Sequence, residues 1–372
     1  MKKIYYLSSS IIPSTTANSV QVMKMCNAFS DIGYDVTLFA RTSVVNVNDI
    51  HSYYGVNSRF SIIKKHWPNI PFLGGILFGK AIKKSLSTYN SAELYYARDF
   101  YTLLWLKSKL KNVIYEAHAM PRTFIHKQLE KRIFKRKNFK RLVVISHALK
   151  NDYKRAFPFL DDKMIYVAHD AADRPNLIKA NENKFKLQGE VEKTKVGYIG
   201  HLYQGKGMEI IEKLSNLVPS IEFHIIGGNK EDIDFWKSKC FNSKNIFFYG
   251  YIPHSELYKF YDQMNIFMAP YQNNVKGFGG GRDISRWMSP LKIFEYMSYK
   301  KAIIASKLPV IEEVLESYSN AILCNPNDIN EWVSALEKLV NNPKLVKVLG
   351  EAAYNSYDRY YTWNQRARVV LE

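Results

Sequence analysis

Short apolar segments alternate with longer amphipathic ones along most of this chain of 372 residues. In the first half the pattern predicts strands at 3–7, 35–39, 60–64, 94–97, 113–116, 141–145 and 164–167. Helices are predicted between them, near 19–32, 72–87, 100–109, 123–135 and 148–157. The strand pattern returns in the second half at 195–199, 222–226, 246–249, 266–269, 302–305 and 321–323. This alternation is typical of βα units around a mostly parallel sheet.

A polar stretch rich in Asn and Lys, 176–194, separates the two series of strands. A chain of this length ordinarily forms two domains. We therefore predict an α/β protein with two Rossmann-like, doubly wound domains, 1–175 and 195–350, joined by that linker. A C-terminal helix is expected in 351–372, and its return to the first domain is left open. Ligands of such domains bind at the carboxyl ends of the strands.

The start of the chain and its cysteines bear on localisation. The first three residues lead into a short strand rather than a secretory h-region. No apolar run approaches the roughly 18 residues of a membrane span. Cys26, Cys240 and Cys324 are far apart and form neither a metal nor a redox spacing. We expect reduced core cysteines and a cytoplasmic protein.

Charge is distributed unevenly along the chain. The net charge is +19, and residues 1–180 hold 29 of the 53 Lys and Arg but 12 of the 34 Asp and Glu. The densest run, 126–141, contains eight cations and one acid, Glu130. This asymmetry indicates an anionic partner for the first half, and both nucleic acid and an anionic membrane fit it.

A glycine-rich turn follows the predicted strand at 195–199. Its residues 200–206 fit the spacing G-x-x-x-x-G-K, but Gly207 stands where a P-loop needs Ser or Thr to hold magnesium. What remains is a turn that exposes backbone N–H groups at a helix N-terminus, with Lys206 adding a full charge. A left-handed turn with a solvated lysine explains this segment equally well.

A second segment, 289–297, predicts a helix start with two charged side chains on one face. Ser289 is predicted as the N-cap and Pro290 as a first-turn residue. Lys292 and Glu295 are three residues apart and share a face, as they also would in a surface ion pair. The loop before them contains Gly277, Gly279, Gly280 and Gly281 with Arg282, which favours close approach of backbone to a ligand. Two lysines and one carboxylate suit a diphosphate and a ribose diol.

The chain resembles the GT-B glycosyltransferases, specifically the retaining nucleotide-sugar enzymes of glycosyltransferase family 4, in the order and spacing of several segments. These are 18–20, 115–118 (Tyr-Glu-Ala-His), 144–146, 169–173, 200–207, 289–295 and 302–306. The resemblance implies that Lys206 and the helix start at Ser289, Pro290, Leu291 and Lys292 bind the donor phosphates. Glu295 would bind the ribose, and His118 would lie on the acceptor side. It thus implies His118, Lys206 and Glu295 as catalytic residues, with Gly200, His201 and Arg282 completing the donor site.

Two departures from that family pattern affect the donor site. His201 stands where the family often has arginine, which weakens the cationic clamp. The family often carries two glutamates in this region, and the first would fall at Trp287, so Asp283 or loop backbone would have to replace it. We expect no metal and no cofactor beyond the UDP-type or GDP-type donor. The resemblance also implies front-face transfer with retention of configuration.

Two amphipathic stretches, 67–87 and 123–141, combine lysines and arginines with apolar residues, as interfacial helices do. We expect the first domain to dock on the inner face of the plasma membrane through Lys131, Arg132, Lys135 and Arg136. The acceptor is expected to be a saccharide or a lipid-linked molecule used in the synthesis of cell-envelope polysaccharide or glycoconjugates.

Two alternative functions stay open. One is a GT-B enzyme of another kind, such as a nucleotide-sugar epimerase or a phosphorylase. The other is a non-enzymatic polyanion-binding protein, although zinc, RRM and KH signatures are absent from the sequence.

Overall fold

The computed structural model describes residues 1–71, 73–89, 91–106, 111–176, 185–277 and 283–372. Contacts divide the chain into a first unit, Met1–His169 together with Trp363–Glu372, and a second unit, Asp170–Thr362. The last ten residues therefore belong to the first unit.

The first unit alternates strands and helices as the sequence predicts. Its elements are β1 Lys3–Ile12, α1 Ala17–Asp31, β2 Asp35–Thr42, α2 Ile50–Tyr53, β3 Ser61–Lys65, α3 Gly74–Leu86, β4 Leu94–Ala97, α4 Phe100–Trp105, β5 Val113–Ala117, α5 Phe124–Phe134, β6 Phe139–Val144, α6 His147–Ala156 and β7 Ile165–Val167. The strands form one sheet in the order β3-β2-β1-β4-β5-β6-β7, and the recorded pairings are parallel.

The second unit repeats this architecture. Its elements are β8 Lys195–Ile199, α7 Met208–Leu217, β9 Glu222–Ile226, α8 Lys230–Lys239, β10 Ile246–Gly250, α9 Tyr258–Tyr261, β11 Ile266–Ala269, α10 Leu291–Ser298, β12 Ala302–Ser306, α11 Pro309–Glu312, β13 Ile322–Cys324, α12 Ile329–Val340 and α13 Pro343–Tyr360. The sheet order is β10-β9-β8-β11-β12-β13. Helix α14, Trp363–Leu371, returns to the first unit and contacts α1.

The predicted fold of two doubly wound parallel sheets is confirmed. All residues of β4, β5, β11 and β12 are buried, as expected for central strands covered by helices on both faces. In both sheets the strand order reverses beside the first strand, between β1 and β4 and between β8 and β11. Ligands of doubly wound folds bind at these switch points.

The predicted helix at 123–135 is present, but the amphipathic stretch 123–141 does not form one continuous interfacial helix. Helix α5 ends at Phe134, and β6 begins at Phe139. Ile133 and Phe134 are buried, because this end of the helix packs into the core of the first unit. The apolar residues that α5 exposes are therefore those of its first turn, Phe124 and Ile125.

Candidate functional site

The glycine-rich turn after β8 is shaped by close backbone contacts. A Cβ atom on Gly205 would lie 1.9 Å from the Asn274 carbonyl oxygen, and one on Gly207 would lie 2.2 Å from that of Pro270. Both glycines have φ in the left-handed region, +81° and +111°, which other residues adopt at a cost. The Gln272 N–H donates to the Gly205 carbonyl over 2.9 Å. The turn is thus fixed against the loop that follows β11.

Lys206 and Lys292, predicted from separate segments, converge in the second unit. The Nζ atoms of both lysines lie 5.2 Å from the centre of the Tyr271 ring. Lys292 Nζ also lies 3.6 Å from the Tyr198 ring centre, and a Cβ on Gly200 would come within 2.9 Å of it. Lys292 is 8% exposed, and its Nζ has no hydrogen-bond partner in the described part of the chain.

Burial disfavours the charged form of both lysines, and the charge of Lys206 adds to this effect at Lys292. Burial lowers the pKa of Lys206 to about 8. Burial and then the charge of Lys206 hold the pKa of Lys292 well below its ordinary value, against an opposing effect of Glu295. An anion placed between the two lysines would reverse both effects, because an opposite charge favours the protonated form. The arrangement suits a multiply charged anion such as a diphosphate.

Glu295 is held by two side chains that the sequence did not indicate. Its Oε1 accepts a hydrogen bond from His254 Nε2 over 2.9 Å, and its Oε2 accepts one from the Tyr261 hydroxyl over 2.7 Å. An ionised carboxylate has further lone pairs, so Glu295 can still accept from a diol. The structure thus gives Glu295 two neighbours in place of a solvated i, i+3 pair with Lys292. His254 lies shortly after the carboxyl end of β10, and this position is the sequence feature that could have marked it as a site residue.

The start of α10 differs from the prediction by one residue. The N-cap is Pro290, with extended backbone, and the helix begins at Leu291. The predicted cap at Ser289 is wrong, because the Ser289 hydroxyl accepts a hydrogen bond from the Asp170 N–H over 2.7 Å. Ser289 therefore ties the start of the second unit to the entrance of α10.

The remaining predicted donor residues fall in two groups. The ring of His201 stacks on Tyr203 at 4.8 Å, and its carbonyl accepts from the Tyr198 hydroxyl over 2.6 Å. Arg282 and Gly279, Gly280 and Gly281 lie outside the described residues. Asp283 accepts hydrogen bonds from the Val275 N–H over 2.9 Å and from Ser285. Its carboxylate therefore links residue 275 to residue 285 within the described part of the loop after β11.

His118 lies in the first unit, within a buried cluster around Glu116. The Glu116 carboxylate accepts from Gln21 Nε2 over 2.7 Å, from His118 Nε2 over 2.6 Å and from the Tyr96 hydroxyl. It also accepts from both terminal nitrogens of Arg366 on α14, at 3.2 and 3.1 Å. Glu116 and Arg366 are 1% and 2% exposed, so this ion pair is fully desolvated.

The hydrogen bonds fix the tautomer of His118. Arg98 Nη2 lies 3.0 Å from His118 Nδ1, and a guanidinium can only donate. Nδ1 is therefore the acceptor, and the ring proton sits on Nε2 and points at Glu116. Burial and Arg98 lower the pKa of His118 to about 4, against the opposing effect of Glu116. Burial alone would raise the pKa of Glu116, but Arg366 and His118 hold it well below its usual range. His118 is thus neutral at physiological pH.

The four cations predicted for membrane docking, two on α5 and two directly after it, are not equivalent. Lys131, Arg132 and Lys135 are exposed. Arg136 instead donates to the carbonyls of Leu103 and Leu106, over 2.7 and 3.2 Å, at the end of α4. No helix in the described part of the chain combines the length and apolar character that a membrane crossing requires. Within the described residues, no group of three His, Cys, Asp or Glu side chains is placed to hold a metal ion.

Comparison with known proteins places these features in context. The family model of Glycosyl transferases group 1 matches residues 179–356. An uncharacterized glycosyltransferase of Methanocaldococcus jannaschii is 28% identical over 251 residues, covering 66% of this chain and 60% of that protein. The sulfoquinovosyl transferase of Arabidopsis thaliana is 23% identical over 188 residues, covering 49% of this chain and 34% of that protein. The chain thus spans less than two thirds of either relative.

Solved structures show the same fold over the full chain. HepE of Anabaena, in complex with UDP and glucose, has a TM-score of 0.74 and 13% identity, covering 100% of this chain and 98% of that one. The likeness confirms the predicted GT-B class of two Rossmann-like domains. The matched family region contains the Lys206, Lys292 and Glu295 site, and the Glu116 cluster lies outside it.

Proposed function

We propose that the protein is a glycosyltransferase that moves a sugar from a nucleoside diphosphate sugar to a saccharide or lipid-linked acceptor. One observation carries this proposal: the half-buried Lys206 and the buried Lys292, whose Nζ has no hydrogen-bond partner among the described residues, converge on Tyr271. Glu295, one helical turn beyond Lys292, supplies acceptors for a ribose diol. The match to Glycosyl transferases group 1 and the bound UDP of HepE support the same ligand class.

The chemistry follows from where charge develops. Cleavage of the bond between the anomeric carbon and the diphosphate leaves negative charge on the leaving group. Lys206 and Lys292 are already in place to stabilise it, and preorganised charges of this kind lower the barrier most. We propose retention of configuration, as in family 4, with a donor phosphate oxygen helping to deprotonate the acceptor. The anomeric configuration of the product, read by NMR, tests retention, and an inverted product contradicts it.

A thermal-shift screen with UDP, GDP and ADP tests the donor proposal. A ligand that binds the native state raises stability by mass action. We expect one nucleoside diphosphate to raise the melting temperature in wild type and to lose this effect in Lys292→Met. RNA and inorganic polyphosphate form the parallel arm. Stabilisation by these polymers, with none by any nucleotide, would instead support the polyanion-binding alternative.

We further propose that the first unit docks on an anionic membrane at the inner face of the plasma membrane, in cell-envelope polysaccharide or glycoconjugate synthesis. Phe124 and Ile125 are 73% and 69% exposed, and Ile70 and Leu73 are 48% and 50% exposed. Lys131 and Arg132 on α5 and Lys135 directly after it are exposed, and each cation near an anionic leaflet contributes about 1 kcal/mol. The excess of cations in the first half of the chain adds a longer-range attraction.

Liposome co-sedimentation tests this docking. We expect binding to phosphatidylglycerol vesicles at low salt, weakened at high salt, and lost on charge reversal of Lys131, Arg132 and Lys135. Arg136→Glu is not a suitable probe, because Arg136 binds carbonyls at the end of α4. Binding that survives the triple reversal, or that is absent at low salt, would contradict electrostatic docking through α5.

A further inference from the structure

Arg98 occupies the switch point of the first sheet. It directly follows β4, and β4 pairs with β1, beside which the strand order reverses. The Arg98 N–H donates to the Leu7 carbonyl in the middle of β1 over 2.8 Å, so the residue is fixed at the carboxyl end of β4, where the pairing of β4 with β1 ends. This edge is where doubly wound domains bind their ligands.

The contacts of the Arg98 side chain are with neutral acceptors. Its Nη1 donates to Gln21 Oε1 over 2.8 Å and to the Asn18 carbonyl over 3.2 Å. Its Nη2 donates to Nδ1 of the neutral His118. In the described part of the chain, no carboxylate lies within ion-pair distance of Arg98. Arginine carries more N–H donors than these contacts use, so the guanidinium is oriented and still able to bind a ligand.

Two carboxylates neighbour Arg98, those of Glu116 and Asp99, and both accept hydrogen bonds from other residues. Glu116 is paired with Arg366 through two hydrogen bonds. Asp99 accepts from the Thr102 N–H over 2.8 Å and from the Thr102 hydroxyl, which caps α4, and its charge acts on Arg41. Two guanidinium groups, Arg98 and Arg366, thus share the single charge of Glu116. The cluster keeps one net positive charge at a half-buried position.

We infer that Arg98 binds a phosphate group carried by the acceptor. A half-buried cation with neutral partners is stabilised by an anion, and arginine donates to phosphate in a bidentate fashion. The inference rests on the proposed function for its assignment to the acceptor. The phosphate could belong to a water-soluble sugar phosphate or to a lipid phosphate, and both offer the same oxygens to the guanidinium.

His118 provides a local readout, because its Nδ1 accepts directly from Arg98. We would titrate full-length protein labelled with ¹⁵N-histidine and follow the His118 ring signals, assigned with His118→Asn. The probes are inorganic phosphate, glucose 1-phosphate, and octyl phosphate below its micelle concentration. We expect a saturable shift of the His118 Nδ1 signal. Arg98→Gln should weaken phosphate binding by about tenfold or more, because it removes a charge-assisted hydrogen bond.

Matched variants separate the charge of Arg98 from its role in packing. Arg98→Lys keeps the charge and should retain part of the binding, and Arg368→Gln, at an exposed arginine on α14 of the first unit, should bind as wild type does. Preference for octyl phosphate or for glucose 1-phosphate identifies the source, and either result supports the inference. A wild-type His118 signal that moves with none of the probes overturns it. The rise in melting temperature on addition of a nucleoside diphosphate, measured on the same sample, shows whether the proposed donor function holds even if phosphate binding by Arg98 does not.

Discussion

A buried ammonium group without a hydrogen-bond acceptor is costly, so Lys292 Nζ requires an explanation. Its neighbours are aromatic rings, Tyr198 at 3.6 Å and Tyr271 at 5.2 Å, and a second lysine. Ring faces attract cations, but they do not replace a hydrogen-bonding anion. At the scale of single residues, the charged form of Lys292 is therefore unfavourable in the nucleotide-free protein, and a bound diphosphate would stabilise it.

Lys292→Met should increase the free energy of unfolding of the nucleotide-free protein, because it removes a buried amine that has no hydrogen-bond partner in the described part of the chain and whose charged form is unfavourable. The same change should abolish stabilisation by the nucleoside diphosphate and lower turnover by about 10²–10³, as for other preorganised charges at a leaving group. Lys206→Ala should lower turnover similarly. Urea unfolding and initial rates measure these effects. Lys213→Met, an exposed lysine on α7, is the control, and parallel behaviour of Lys213→Met and Lys292→Met would contradict the assignment.

Lys206 should contribute to the pH dependence of the free energy of unfolding. Its pKa is about 8 in the folded protein and 10.5 ordinarily. Between these values the unfolded chain binds more protons at this lysine, so the free energy of unfolding should rise with pH across that window. Lys206→Met should remove this part of the slope in nucleotide-free protein. An identical slope in wild type and variant would show that Lys206 is not desolvated.

Glu295→Gln should weaken binding of the ribonucleotide and reduce its advantage over the 2′-deoxy form, because a carboxylate accepts from a diol more strongly than an amide does. Isothermal titration with both nucleotides measures this difference. Glu337→Gln, an exposed glutamate on α12, serves as control. If Glu295→Gln retains the full preference for ribose, Glu295 has only a structural role with His254 and Tyr261.

At the scale of elements, the central strands were predictable because they are buried on two faces and carry continuous apolar runs. The predicted strands at 94–97, 195–199, 222–226 and 266–269 have the observed bounds. The cap of α10 and the extent of the basic stretch 123–141 were harder to predict: the cap is Pro290 in place of Ser289, and the helix in that stretch ends at Phe134. These ends depend on tertiary partners, Asp170 for Ser289 and the first-unit core for Phe134, that no local pattern encodes.

Gly205→Ala should disrupt the turn after β8, because its Cβ would lie 1.9 Å from the Asn274 carbonyl oxygen. We expect lost nucleotide binding together with lower stability. Gly33→Ala is the matched control, since Gly33 has φ of +95° but open space around its Cβ position. That variant should show only the conformational cost of about 1–2 kcal/mol with normal nucleotide binding. Equal losses in both variants would mean that backbone strain, and not the contact with Asn274, decides the effect.

At the scale of the whole molecule, residues far apart in sequence complete each unit. Arg366 of α14 pairs with Glu116 across 250 positions, and Tyr271 meets Lys206 from another βα unit. The sequence indicated Lys206, Lys292, Glu295 and His118 because each lies next to a strand end or a helix start. It did not indicate Tyr198, His254, Tyr261 or Arg366, whose roles arise from contacts that only the fold creates.

Arg366→Met should destabilise the protein by about 3–5 kcal/mol, because it leaves the Glu116 carboxylate buried without its partner. Urea unfolding, with Arg368→Met on the exposed face of α14 as control, measures the effect. Nucleotide affinity should change little, because this ion pair lies in the first unit and Lys206, Lys292 and Glu295 lie in the second. Equal stability of the two variants would contradict a structural role for the pair.

The central claim is that Lys206, Lys292 and Glu295 form the nucleoside diphosphate site of a glycosyltransferase. A crystal structure of the protein with the nucleotide selected by the thermal-shift screen tests it most directly. We expect diphosphate oxygens within hydrogen-bond distance of Lys292 Nζ and Lys206 Nζ, and the ribose hydroxyls on the Glu295 carboxylate. A nucleotide bound elsewhere, with Lys292 Nζ still lacking a hydrogen-bond partner, would contradict it.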